Sequence, residues 1–385
     1  MQLESQARVA KKPERTPGGA AGLIMAAALS LPGVMPSQAL AEAAPERGII
    51  GLRYLKYQDY QSGLDRIGVS APSIYGLFPI AGKWAVEGSI TTDSVSGPSP
   101  RYYSATSSAS RMSDYRKAFD AKVTRYWDRA TLSLGVSYST EHDYVSRAFS
   151  LSGTVSSADN NRTWAYGVGF ASDSINPVNL IVTDAKKKTT EFMVGVTQVL
   201  TPQDIAQVNM TVARGRGFFN DPYKFDDSRP DFRNQFALMG KWNHHVPKWN
   251  ATSRLSYRYY NDSYAVKGHT MTAEWVQNIK NGWTLTPLLR LHSQSAANFY
   301  FDPAPGGIPP DWSASPNHSA DQRLSSFGAR TIGLRVAKAL PDGWTLDMRY
   351  DLYRQQAGYR LFGTGSPGLD PFNARFLQIG VSKKL

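Results

Sequence analysis

TLSLGVSY, residues 131–138, decides how the rest of the chain is read. Leu132, Leu134, Val136 and Tyr138 fall on one side of an extended chain, and Thr131, Ser133, Gly135 and Ser137 on the other. Strict period two marks a β-strand whose two faces meet different surroundings. The alternation recurs at 163–170, where Trp164, Tyr166, Val168 and Phe170 align. At 254–260, Leu255, Tyr257 and Tyr259 oppose Arg254, Ser256, Arg258 and Tyr260. At 345–353, Leu346, Met348, Tyr350 and Leu352 oppose Asp347, Arg349 and Asp351. Any one of these strands would also suit a soluble sandwich with its apolar face on a core.

The connections between strands separate the two architectures. Short ones fall near 78–81, 128–129, 157–161, 201–202, 244–247, 280–281 and 341–343. Long ones fall at 94–113, 175–189, 215–230, 295–322 and 357–371. Every long gap has the same parity; two gaps of that parity, near Asp143 and near 261–263, are short. A sandwich has no reason for this one-sided rule. A transmembrane barrel does, because tight turns close its periplasmic end while loops open outside. The expected fold is therefore all-β, a transmembrane antiparallel up-and-down β-barrel of about sixteen strands with short periplasmic turns and long extracellular loops. Aromatic residues near strand ends (Trp127, Trp242, Trp249, Trp283 and Trp344) suit the interfacial girdles of such barrels. The last segment, 372–385, puts Leu377, Ile379, Val381 and Leu385 on one face, like the terminal strand read by the outer-membrane assembly machinery. Leu385 replaces the usual aromatic, and Lys383 occupies an expected apolar position.

The N-terminus points to export. Lys11, Lys12 and Arg15 precede an apolar run at 20–35, and Ala39-Leu40-Ala41 offers a small-x-small cleavage site. Pro32 and Gly33 interrupt the run, which argues against a membrane anchor. The expected organisation is a cleaved signal peptide at 1–41, a short periplasmic segment at 42–47 and the barrel at 48–385, located in the bacterial outer membrane. No other stretch approaches the ~18 apolar residues of a membrane helix. With no cysteine, disulfide scaffolds, iron–sulfur sites and Cys-linked haem are excluded. The net charge is +12. It is dispersed along strands, with no basic run beyond 186–188, so a lumen or anionic lipid suits it better than nucleic acid.

Six short segments resemble, in order, one family: STEHDYVS (139–146), GVTQVL (195–200), DPYK (221–224), RPDFR (229–233), YRYYND (257–262) and NFY (298–300). The family is a proteobacterial outer-membrane barrel family known as a domain of unknown function. The resemblance implies a barrel of this size and no known activity or catalytic residue. Its genomic company of small lipoproteins, thioredoxin-like proteins and flavin-transfer enzymes implies periplasmic or cell-surface redox partners as an alternative role.

If apolar residues face lipid, then Glu87, Arg233, Lys241, Arg254, Arg258, Glu274, Arg290, Arg335, Asp347, Arg349 and Asp351 point into the lumen, because Lys or Arg at the lipid midplane costs about 2–4 kcal/mol. Arg outnumbers acid in this set, which suggests a pore or docking site for a small polar, anion-leaning solute. The competing reading is an internal salt-bridge network that fills the barrel. The loop 220–231 carries Asp221, Asp226, Asp227 and Asp231, an oxygen density that would suit Ca²⁺. Its spacing is not that of an EF-hand; Lys224 and Arg229 are candidates to neutralise the acids, and a turn whose Asp residues cap backbone groups is the favoured alternative. Enzyme chemistry finds no motif; no catalytic residue and no cofactor are expected. A lipid-facing hydrolase would need an outward histidine, whereas His292 is expected to point inward beside Arg290. The Pro- and Gly-rich loop at 295–322 is long enough to constrict the mouth or meet a partner.

Overall fold

The computed structural model describes residues 43–98, 111–224, 227–302 and 316–385. Residues 1–41, expected to be the export signal, lie outside the described residues, as does Asp226. Sixteen strands follow one another: β1 (Ile49–Gln61), β2 (Leu64–Ile80), β3 (Trp84–Pro98), β4 (Arg111–Trp127), β5 (Ala130–Thr140), β6 (Tyr144–Ser156), β7 (Arg162–Ile175), β8 (Ala185–Thr201), β9 (Asp204–Gly217), β10 (Phe232–Val246), β11 (Ala251–Asp262), β12 (Lys267–Ile279), β13 (Trp283–Gln294), β14 (Phe327–Ala339), β15 (Trp344–Gln356) and β16 (Phe372–Lys384). Each pairs antiparallel with its chain neighbours, and β1 pairs with β16, so the sheet closes into an up-and-down barrel. Closure leaves no free strand edge, the condition for spanning lipid with sheet.

The register carries the expected alternation around the wall. Leu132, Leu134 and Val136 on β5, Tyr166 and Phe170 on β7, Val212 on β9, Ile332 on β14 and Leu346 on β15 are exposed on the outer face. A monomer that displays so broad an apolar surface is built to sit in lipid. All eight tryptophans among the described residues lie at the short-turn end. There Lys383 resolves its apparent misplacement. It faces out at the rim with its ammonium 5.1 Å from the Trp344 ring centroid, and Lys338 and Arg125 lie likewise over Trp283 and Trp84. The stems cover apolar surface while the charges reach the headgroup level.

At the opposite end the connections are long after β3, β7, β9, β13 and β15, and short after β5 and β11, as the gap pattern predicted. A third short one, Ser62-Gly63 between β1 and β2, joins them, with Gly63 at φ 71° making the tight turn.

The interior departs from a simple polar filling. Tyr57, Ile67, Val69, Ala71 and Ala374 form a buried apolar cluster on the inner wall of β1, β2 and β16, with Leu55, Tyr353, Phe372 and Phe376 packed on it. A register shift between β1 and β2, at Gln58/Tyr60, sets Arg66 and Ile67 opposite Asp59. In such a bulge both residues point the same way, and Arg66 lies buried against Asp59 at 3.5 Å.

Candidate functional site

All eleven residues predicted to line the lumen occupy inward register positions. The outward rows fix this: Leu238 and Trp242 on β10, Leu255 on β11, Met271 on β12, Leu289 on β13, Leu334 on β14 and Met348 on β15 are exposed apolar residues of the opposite parity. Arg254 pairs in register with Glu274, and Arg335 with Arg349. The strands that bring these charges together are β10–β15. Elsewhere round the barrel, β5–β8 line the lumen mostly with small residues such as Ser133, Gly135, Ser152, Ala165, Gly167 and Gly195. The β10–β15 arc therefore carries charge and the β5–β8 arc leaves space, while β3 and β4 carry inward charges of their own.

Most of the charges are paired. Glu87 bonds Lys122, Arg349 meets Asp351 at 2.7 Å, Arg335 meets Asp347 at 3.4 Å, Arg233 meets Asp262 at 2.5 Å and Arg254 approaches Glu274 at 3.9 Å. Two carboxylates are set into glycine niches. Asp351 lies where a Cβ on Gly333 would be, and a Cβ on Gly380 would stand 2.6 Å from Asp347. The glycines let these ion pairs lie flat against the wall. Lys241, Arg258 and Arg290 have no carboxylate at ion-pair distance among the described residues. Arg290 instead donates to Thr272 at 3.3 Å, and Arg258 lies over the Tyr260 ring. Arg254 and Arg258 are exposed although they face inward, so water reaches this wall.

The inward set is larger than the sequence suggested. Asp59, Asp93, Asp120, Asp173, Glu191 and Asp262 also point in, and Asp93 holds Arg116 at 2.9 Å. Inward Arg53, Arg66, Arg116, Lys122 and Lys187 offset most of these acids, and the cationic excess is local to β10–β13.

The loops form a collar on the long-loop end. Asp321, fully buried, accepts from Arg229 at 2.8 Å and from Arg323; Arg229 also holds Asp227 and Arg323 holds Asp221, each at 2.8 Å. Burial alone would raise the Asp321 pKa, yet Arg323, Lys224 and Arg229 together hold it well below the usual carboxylate range. Burial lowers the Lys224 pKa. Ser228 bridges to His318 and Tyr300 to Ser319, Tyr223 bonds Asp143, and Asn179 donates to the Pro222 carbonyl at 2.8 Å. The β5–β6, β7–β8, β9–β10 and β13–β14 connections are thus tied together. The collar also reaches inward. Tyr264, Val266, Ala297 and Leu324 bury one another against Tyr260 of the inner wall, and Leu369 packs on Phe327 and Ala329. The described ends of the β13–β14 connection thus pack on the β11–β12 turn and on Tyr260.

The arrangement bears on the acidic loop. Asp221 and Asp227 are engaged by Arg323 and Arg229, and Asp231 is exposed. Among the described residues no three metal-binding side chains converge. Charge pairing accounts for Asp221 and Asp227, and Asp221 Oδ1 also accepts from the Tyr223 backbone N–H. Arg323 and Asp321, about ninety residues downstream, were not legible as partners of this loop. His292 does face inward, with Thr270 Oγ1 at 2.9 Å and Gln294 Oε1 at 3.2 Å as its neighbours.

A family model described as "Protein of unknown function (DUF3570)" matches residues 103–184 and 180–376, a span that contains all six resembling segments. No curated protein matches the chain. Solved structures similar to it include the siderophore receptor PirA from Pseudomonas aeruginosa, at 8% identity over 89% of this chain and 81% of that one (TM-score 0.45). A bacterial polysaccharide outer membrane secretin shares 10% identity over 87% and 98% of the two chains (TM-score 0.49). Pseudomonas aeruginosa OccK2 (OpdF) shares 9% over 88% and 98% (TM-score 0.43).

Proposed function

The chain belongs to the DUF3570 family, and with that as premise we propose that it is an outer-membrane pore or docking barrel for a small polar, anion-leaning solute. The observation that carries the reading is the inner wall of β10–β13, where Lys241, Arg258 and Arg290 have no carboxylate at ion-pair distance among the described residues. A carboxylate or phosphate entering the lumen would meet guanidinium and ammonium donors that the chain itself leaves unsaturated. A sixteen-stranded barrel is wide enough for an aqueous path beside such a stripe. In this reading residues 1–41 are the export signal, 42–47 a periplasmic lead-in and 48–385 the outer-membrane barrel; β16 is the segment offered to the assembly machinery. The chain acts by passage or binding, without catalysis.

The test is single-channel recording after reconstitution into planar bilayers. Discrete conductance steps, reduced in anion preference by a combined K241Q/R258Q/R290Q variant, are expected. A barrel that inserts but never conducts would refute passage. Equilibrium binding of small carboxylates and phosphates to the same sample would then decide whether docking survives.

A further inference from the structure

The outer face has its own charge pattern. Among the described strand residues, the outward-facing acids are Asp65, at the β1–β2 tip, and Asp204, at the short-turn rim. Outward Lys and Arg, by contrast, crowd the long-loop end. The densest group lies on β6–β9, where the register lays out one row: Arg147 opposite Ser172, Ser172 opposite Lys188, Lys188 opposite Arg216, and Arg216 opposite Phe232. Arg214 sits one step lower on the same face.

Lys188 and Arg216 are direct ladder partners, about 5 Å apart, and both are exposed. Like charges placed directly opposite destabilise a sheet. Neither has a carboxylate at ion-pair distance among the described residues. Lys186, two residues before Lys188 on β8, pairs instead with Asp184 of the adjoining loop at 3.4 Å. Immediately below the row Phe149 and Phe170 pair across β6 and β7, followed by Phe192 on β8. Further down, Gly153, between Leu132 and Tyr166, leaves an apolar groove lined also by Val155 and Val212. A cationic shelf thus stands directly over an apolar wall, on the end that carries the long loops.

We propose that this face seats a phosphorylated glycolipid of the outer leaflet, with Arg147, Lys188, Arg214 and Arg216 on its phosphates and its acyl chains along the aromatic wall. The inference rests on the reading that the barrel sits in the outer membrane with its long loops outside. Charge complementarity favours this occupant. The phosphate of a zwitterionic lipid brings its own cation and adds no net negative charge, whereas a phosphomonoester without one offsets both cations and turns the Lys188–Arg216 repulsion into two charge-assisted contacts.

The full chain, folded into phosphatidylcholine nanodiscs, is titrated with bisphosphorylated lipid A and bound lipid is counted by native mass spectrometry. Insertion is scored separately by heat-shifted gel mobility. Wild type is expected to retain lipid A, and K188Q/R216Q to bind it about thirtyfold more weakly, at roughly fivefold per cation. R125Q/K383Q, at the opposite rim, is expected to match wild type. Failure to insert would overturn the membrane reading and this proposal together. Insertion with equal lipid A affinity in K188Q/R216Q and wild type would overturn this proposal alone. So would equal binding of dephosphorylated lipid A, or inorganic phosphate binding these residues as tightly as the lipid.

Discussion

The collar makes its strongest claim at Asp321. This side chain is fully buried, accepts from Arg229 at 2.8 Å and from Arg323 through Nε, and its Oδ1 takes the Arg323 backbone N–H at 2.9 Å. D321N keeps the shape and removes the charge. Removing one partner of a buried pair costs about 3–5 kcal/mol because the other charge is stranded. Asp227 and Asp221 continue to hold Arg229 and Arg323, so the lower end, about 3 kcal/mol, is expected. The loss falls on the loops and leaves the barrel ladder intact, so local opening should rise about a hundredfold. Hydrogen exchange read by mass spectrometry over 295–302 and 316–326 measures this directly, with the β-strand amides as internal reference. The pH dependence follows with a definite sign. A carboxyl whose folded pKa is depressed contributes fully above the unfolded value near 4 and loses its contribution as pH falls through the depressed value. The wild-type collar should therefore stay protected at pH 5 and open only in stronger acid. Unchanged exchange in D321N, or a wild-type collar that opens between pH 7 and 5, would refute the reasoning.

Three further outcomes are expected. V136R puts a cation on the lipid face and should cost about 2–4 kcal/mol in urea-induced unfolding from liposomes, while S137R, one residue on and facing the lumen, should cost little; equal costs would contradict the assigned parity. G333A drives a methyl group into the Asp351 carboxylate and should cost about 1–3 kcal/mol in the same titration; a stable G333A barrel with unaltered conductance would remove the glycine niche from the account. D59N strands buried Arg66 and should lower barrel stability by about 3 kcal/mol, whereas D65N, at the exposed turn tip, should not.

Local alternation carried much of this fold in the sequence. Each strand such as 131–138 declares its two faces, and the parity of long gaps orders the strands into a barrel with an up and a down. Inward placement of the eleven charged residues followed from the same period. What escaped the sequence depends on contacts between distant segments. The Asp227–Arg229–Asp321–Arg323 network joins loops far apart in the chain. The apolar cluster around Tyr57 and Val69 breaks the apolar-out rule in regular register, and beside it the bulge adds Ile67, where one extra residue makes period counting fail. Some inward carboxylates escaped for a related reason. Asp173 lies on a strand whose other inward residues are mostly small, so it did not stand out as part of a charged face.

The central claim is an open lumen whose β10–β13 wall favours anions. Reversal potential in a planar bilayer under a KCl gradient reads it most directly. The account predicts a potential displaced toward the chloride equilibrium value and moved toward zero by K241Q/R258Q/R290Q. A potential on the potassium side, or a wild-type value that the triple variant leaves unmoved, would contradict it.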